Sequence, residues 1–236
     1  MPIDSNLIAQ IGAFLSLGGP VVSILIVVSI LSLAVILLKF FQFVRTGVGS
    51  RGRAERAVSL FVAGRVGEAH DLAAAGRSPT AEVVAQAIGL VMKNRLEKQP
   101  LDKQAIEERL ARVATARLHE LQSGFRFLDS VAQLAPLMGL FGTVLGMIEA
   151  FKKLQSAGDS VDPSLLAGGI WVALLTTAVG LAVAMPVSLI LAWFETRVES
   201  ERVAVQTLTT DILTGVSPAV SEAPSREPVR EPQLAS

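Results

Sequence analysis

Two apolar stretches of the chain carry hydroxyls among small residues. The first reads LAPLMGLFGTVLGMIEAF from Leu134 to Phe151 and sets Gly139, Gly142 and Gly146 at i, i+3 and i+7, with Thr143 beside them. The second places Gly169, Ala173, Thr177, Gly180, Ala184 and Ser188 at i, i+4, i+8, i+11, i+15 and i+19. On a helix each set falls on one face. Such stripes let apolar helices approach closely where lipid offers no hydrophobic drive for association. The glycines therefore read as packing positions. The threonines admit two roles. A helical threonine can bond back to a carbonyl of its own preceding turn. Alternatively it lines a polar path or receives a contact from a partner. Pro186, inside the second stretch, removes one helical hydrogen bond and predicts a kink.

Other chemistries lack their residues. The chain has no cysteine, which excludes a disulfide framework, a cysteine zinc site, an iron–sulfur cluster and a thiol nucleophile. His70 and His119 are its two histidines, far apart in sequence and read as surface residues rather than ligands. Glu107, Glu108, Arg109, Arg112 and Arg117 read as a solvated helix face or as intersubunit pairs. No nucleophile–base pair stands out, so an enzyme, a metal and a cofactor are not expected. Lys+Arg and Asp+Glu balance at 21 each, with a pI near 6.8. That balance argues against a nucleic-acid partner, which requires a basic face.

The elements that position the threonines follow from where charge is missing. Of the 236 residues, 51% are hydrophobic and 18% charged, against about 25% charged in a soluble domain. Three windows hold no Asp, Glu, Lys, Arg or His: Ser5–Leu38, Ser130–Ile148 and Pro163–Phe194. About 20 apolar residues cross a hydrocarbon core, and in it the backbone must be helical. The first window divides at Gly18-Gly19-Pro20. Residues 1–19 are expected as an external N-terminus with an interfacial helix over Asn6–Leu17, and residues 20–43 as the first span. No positive segment precedes the apolar run and no small-residue cleavage site is evident, which argues against a cleaved signal peptide.

Residues 44–128 read as an internal helical domain, 129–151 as the second span and 152–162 as an external loop. Residues 163–194 form the third span, about 48 Å long if straight at about 1.5 Å per residue. Residues 195–215 continue as an internal helix, and the Pro-rich residues 216–236 form a disordered tail. Within the internal domain, helices are expected over 53–75, ending at Gly76, then from Pro79 onward, and over 101–128 after Pro100. With no proline from residue 101 to 135, the last of these is expected to run straight into the second span. Residues 1–20 have no Lys or Arg, whereas 14 lie from Arg45 to Arg126. The positive-inside rule places the N-terminus outside and the C-terminus inside. A proton relay needs a titratable group at depth, so if this chain moves protons something else must supply the carboxylate.

The blocks Leu134–Phe151 and Gly168–Pro186 (GGIWVALLTTAVGLAVAMP) resemble the ExbB/TolQ branch of the MotA/TolQ/ExbB proton channel family. The shared pattern is L-A-P-L-x-G-L-x-G-T-V-x-G-M followed by G-I-x-x-A-L-x-T-T-A-x-G-L and a later proline. The resemblance implies an all-α membrane protein with three transmembrane helices and long cytoplasmic helical extensions, assembled as a homopentamer in a bacterial inner membrane. It implies an ExbD/TolR-like single-span partner whose transmembrane Asp carries the proton, and a TonB- or TolA-like periplasmic coupler. It places Thr143 and Thr177 towards the partner helices and the proton path. The function implied is conversion of proton-motive force into mechanical work on a periplasmic or outer-membrane client, in TonB-dependent import or Tol-type envelope maintenance. One position departs: ExbB and TolQ often carry Glu where this chain has Val172. The readings weighed against this one are a passive membrane scaffold, using the stripes for assembly alone, and a transporter subunit. A transporter would show an inverted repeat with broken helices, and none is visible.

Overall fold

The computed structural model describes residues 5–97, 102–156 and 163–215, with side chains from residue 19 onward except at 163 and 165. They form seven helices among the described residues: α1 (Ser5–Thr46), α2 (Gly52–Val62), α3 (Val66–Ala74), α4 (Pro79–Leu96), α5 (Lys103–Gln122), α6 (Phe125–Ser156) and α7 (Pro163–Gly215). Three of them contain stretches long and apolar enough to cross a membrane: Gly19–Thr46, Phe125–Ser156 and Leu166–Gly215. The protein is thus an all-helical membrane protein with three candidate spans. The side chains that would make an interfacial face over Asn6–Leu17, and the tail from residue 216, lie outside the described residues.

The chain forms two compact units. One takes in residues up to Gly49 and Ala116–Glu201; the other takes in Ser50–Thr115 and the residues from Arg202 onward. In the first unit α1 kinks at Gly19 (φ 64°, ψ −165°), immediately before Pro20. Glycine adopts that conformation without a Cβ clash, and proline cannot donate back across it. Below the kink, α1, α6 and α7 share a core that includes Leu25, Leu128, Val187, Phe194 and Val198. One aromatic ring from each helix meets there. Phe43 and Phe194 are 4.9 Å apart between centroids, and Phe125 and Phe194 are 5.8 Å apart. Tilted and offset pairs of this kind add about 0.5–1.5 kcal/mol beyond simple burial. Other apolar side chains, including Leu33, Leu37, Leu140, Leu174 and Leu189, are exposed on the outside of the unit. Trp171 and Trp193, both exposed, lie 22 residues apart on α7. At about 1.5 Å per residue that is about 33 Å, close to the thickness of a hydrocarbon core flanked by aromatic belts.

The sequence led us to expect one helix from 101 through the second span, but the chain turns between α5 and α6. Gly124 sits at φ 83°, a left-handed conformation that ends helices and that other residues adopt at a cost. The turn is held by Lys39 of α1, which is 7% exposed. Its Nζ donates to Gln42 Oε1 (2.8 Å), the Leu121 carbonyl (3.2 Å) and Ser123 Oγ (2.8 Å). Ser123 Oγ in turn donates to the Glu120 carbonyl at 2.8 Å. The last carbonyls of a helix lack intrahelical donors and carry partial negative charge. A buried ammonium at the end of α5 meets both needs. At the other end of this unit's chain path, fully buried Glu201 accepts from the Gly49 amide at 2.6 Å.

The second unit has an alanine-rich core of Ala54, Ala57, Ala69, Ala73, Ala81 and Ala87, joined by Phe61, Ile88 and Val91. Ile106 and Leu110 from α5 and Val205, Leu208 and Ile212 from α7 complete it. The expected 53–75 helix is two helices. Gly64 at φ 81° closes α2, with the Gly64 amide donating to Phe61 O (3.0 Å) and the Arg65 amide to Leu60 O (2.9 Å). Ser78 caps α4 by accepting from the Ala81 amide at 3.1 Å, with Pro79 as its first residue. Residues 163–215 form one helix, which continues through Pro186 and past residue 194.

Candidate functional site

The seam between α6 and α7 is built by what its glycines lack. A Cβ on Gly180 would stand 2.5 Å from the Ala135 carbonyl oxygen and 3.1 Å from Gly139 Cα. One on Gly139 would stand 2.9 Å from Thr176 O and 3.0 Å from Thr177 Cα. One on Gly146 would stand 3.0 Å from Ala173 Cβ, and one on Gly169 would overlap Ala150 Cβ. The two backbones therefore touch over several turns. At that distance dispersion between backbone atoms, rather than interlocking side chains, holds the helices together.

Close approach brings α7 hydroxyls to α6 carbonyls. Thr177 Oγ1 lies 3.3 Å from the Gly139 carbonyl oxygen. Thr176, 3% exposed, has its Oγ1 3.1 Å from the same oxygen and 2.7 Å from Ala173 O of its own helix. Gly142 makes room for it, since a Cβ there would stand 2.6 Å from Thr176 Oγ1. Thr143 Oγ1 donates to the next α6 carbonyl, Leu140 O, at 2.6 Å. Gly139, Gly142, Gly146, Gly180 and Thr177 thus meet in one seam. The hydroxyl of Thr143 is satisfied within α6 and its side chain lines a separate groove with Val144, Met147 and Phe151. Pro186 lies further along α7, on an exposed position.

A cleft of about 700 Å³ opens beside the seam, lined by Gly142, Gly146, Ala150, Val172 and Thr176, by Gly19 of α1, and by Glu149, Lys152 and Lys153 of α6. Glu149 and Lys153 pair at 2.9 Å. Among the described residues no group of three or more His, Asp or Glu is placed to hold a metal ion. Sequence reasoning singled out Thr177 and passed over Thr176. The signal was present: Ala173 and Gly180 bracket both threonines, which sit three and four residues after Ala173, so both fall on the small-residue face. Lys39 was missed because its partners lie 82 and 84 residues away in sequence.

Three apolar helices, two of them joined backbone to backbone with hydroxyls at the seam, define a multi-span helical membrane protein. The sequence profile of the MotA/TolQ/ExbB proton channel family matches residues 77–207. The chain belongs to that family. It is 47% identical over 68 residues to biopolymer transport protein exbB1 of Vibrio cholerae, covering 29% of this chain and 30% of that protein. It is 32% identical over 127 residues to biopolymer transport protein ExbB of Pseudomonas putida, covering 52% and 38%. It is 37% identical over 111 residues to the Tol-Pal system protein TolQ of Pseudomonas aeruginosa, covering 45% and 48%. In each case the match spans less than half the length of the relative.

Proposed function

We propose that this chain is the channel subunit of an inner-membrane machine driven by proton-motive force, working with an ExbD/TolR-type partner. The carrying observation is the placement of three threonine hydroxyls on α6 and α7: Thr176 and Thr177 reach the Gly139 carbonyl across the seam, and Thr143 bonds Leu140 O beside a neighbouring groove, in windows that hold no titratable side chain. Such a wall offers hydrogen bonds to a proton carrier without competing for the proton. Thr143, whose hydrogen is held by Leu140 O, offers a lone pair to a protonated partner carboxyl, and Thr177 donates to the charged form when its hydrogen leaves Gly139 O. The carboxylate itself comes from the partner's transmembrane Asp, because a titratable group at depth is what proton transfer needs.

In this reading the N-terminus faces the periplasm and residues 44–128 the cytoplasm, in line with the excess of Lys and Arg there. Five copies surround the partner, and a TonB- or TolA-like coupler carries the work to its client, in nutrient import or envelope maintenance. The relatives' names point to two systems, biopolymer transport and the Tol-Pal system.

The test is proton flux into liposomes holding this chain alone, then with an ExbD/TolR-type partner. We expect silence from the chain alone and flux with the partner. Thr143→Ala and Thr177→Ala should each lower that flux about tenfold or more while the protein still inserts and assembles. Flux from the chain alone would overturn the assignment of the carboxylate to the partner. Full activity in both threonine variants would instead favour a passive scaffold.

A further inference from the structure

We propose that Thr176 is a positioning residue that decides where the Thr177 hydroxyl donates; the consequence for flux rests on the channel reading above. The observation is a shortage of lone pairs. A hydroxyl donates one hydrogen, and a backbone carbonyl oxygen has two lone pairs. Within α6 one lone pair of Gly139 O is engaged by the amide four residues on, that of Thr143. One remains, and two α7 hydroxyls reach for it: Thr176 at 3.1 Å and Thr177 at 3.3 Å. Both are longer than the usual O–H···O separation of about 2.7–2.8 Å.

Thr176 has an alternative acceptor, Ala173 O at 2.7 Å. Two arrangements follow. When Thr176 donates to Ala173, the Gly139 oxygen is open to Thr177. When Thr176 donates to Gly139, the Thr177 hydroxyl is released and points its hydrogen elsewhere. The exchange needs the rotation of two hydroxyls and no movement of either helix. Gly142 preserves it, because a side chain there would displace Thr176 Oγ1. Thr177 is half-buried where Thr176 is buried, so it presents more of its side chain to a partner. Thr176 thus controls the availability of its neighbour's proton from behind the seam.

Thr176→Val keeps the shape and removes the donor; Thr176→Ser keeps the donor. The full chain, carrying ¹³C at glycine carbonyls and ¹⁵N at leucine amides, would be studied in phosphatidylethanolamine–phosphatidylglycerol vesicles. That labelling selects the Gly-Leu pairs at Gly89, Gly139 and Gly180. We expect the Gly139 carbonyl shift to stay that of a hydroxyl-bonded oxygen in Thr176→Val and in Thr177→Val, because the remaining threonine takes the site. It should move only in the double variant. In Thr176→Val, Thr177 is then held on Gly139, and partner-dependent proton flux should fall about tenfold, with Thr176→Ser restoring it. A full Gly139 shift in Thr176→Val alone, or no shift in the double variant, overturns the proposal. So does wild-type flux in Thr176→Val. If the unaltered chain shows no flux with its partner, the channel reading fails, and the carbonyl shifts still decide the hydroxyl exchange.

Discussion

At Gly180 the neighbouring helix is closer than any side chain allows. The atom that a Cβ would meet is the Ala135 carbonyl oxygen, part of a backbone that cannot swing aside. Gly180→Ala therefore has to separate α6 from α7, and overpacking of this kind costs about 1–3 kcal/mol. We expect a lower unfolding temperature in detergent for Gly180→Ala. Gly168→Ala on the same helix, where a Cβ meets nothing within 4 Å, should leave it unchanged. Equal behaviour of the two variants would show that the seam is not close-packed. A loss at Gly142 has a different cause, because the atom displaced there is the Thr176 hydroxyl. Its expected signature is the Gly139 carbonyl shift more than the melting temperature.

The turn between α5 and α6 depends on a cation supplied by another helix. Lys39→Met removes the donor to the Leu121 carbonyl and to Ser123. A hydrogen bond from a charged group contributes about 1.5–3 kcal/mol. Amides from Ser123 to Leu128 should accordingly exchange about tenfold faster or more, while those in the middle of α6 keep their protection. Unchanged exchange would mean that Gly124 alone shapes the turn. The same elements show what the sequence made legible. Windows without charge reveal α1, α6 and α7 because lipid leaves the backbone no alternative to a helix. Gly18-Gly19-Pro20 reveals the kink because both residue types act locally. The turns at Gly64 and Gly124 are not legible from spacing, because a single glycine inside a periodic pattern is a weak signal. Lys39 escaped for another reason. The first uncharged window ends at Leu38, so a lysine one residue on reads as the edge of the span. Only the fold shows it buried against α5. Thr177 and the glycines stood out as a stripe. The bonds that give the stripe its chemistry are tertiary, and no spacing rule contains them.

Over the whole molecule, each compact unit is assembled from separate parts of the chain. Val205, Leu208, Ile212 and Leu213 of α7 belong to the core of the second unit with α2, α3 and α4. A chain stopped after Glu201 lacks all four. We expect it to insert its spans normally and to be cut by protease between residues 50 and 115, where the longer chain resists. Equal resistance would show that α2–α4 fold without α7. The absence of cysteine also makes every introduced thiol a lone reporter. In the proposed orientation, Ser50→Cys should react with an impermeant maleimide only after the inner face is opened. Gln155→Cys should react from the outer face of intact cells. The reverse pattern would invert the topology.

The second unit's divided core also sets a timetable for synthesis. The ribosome finishes Thr115 well before it reaches Val205, with two spans made in between. At about 5–20 residues per second the delay is on the order of ten seconds. For that interval the alanine-lined faces of α2, α3 and α4 lack the strip of α7 that closes them. The end of α7 acts as the closing stroke of folding, and slow codons after residue 115 should lengthen the exposure and raise aggregation without altering a single side chain.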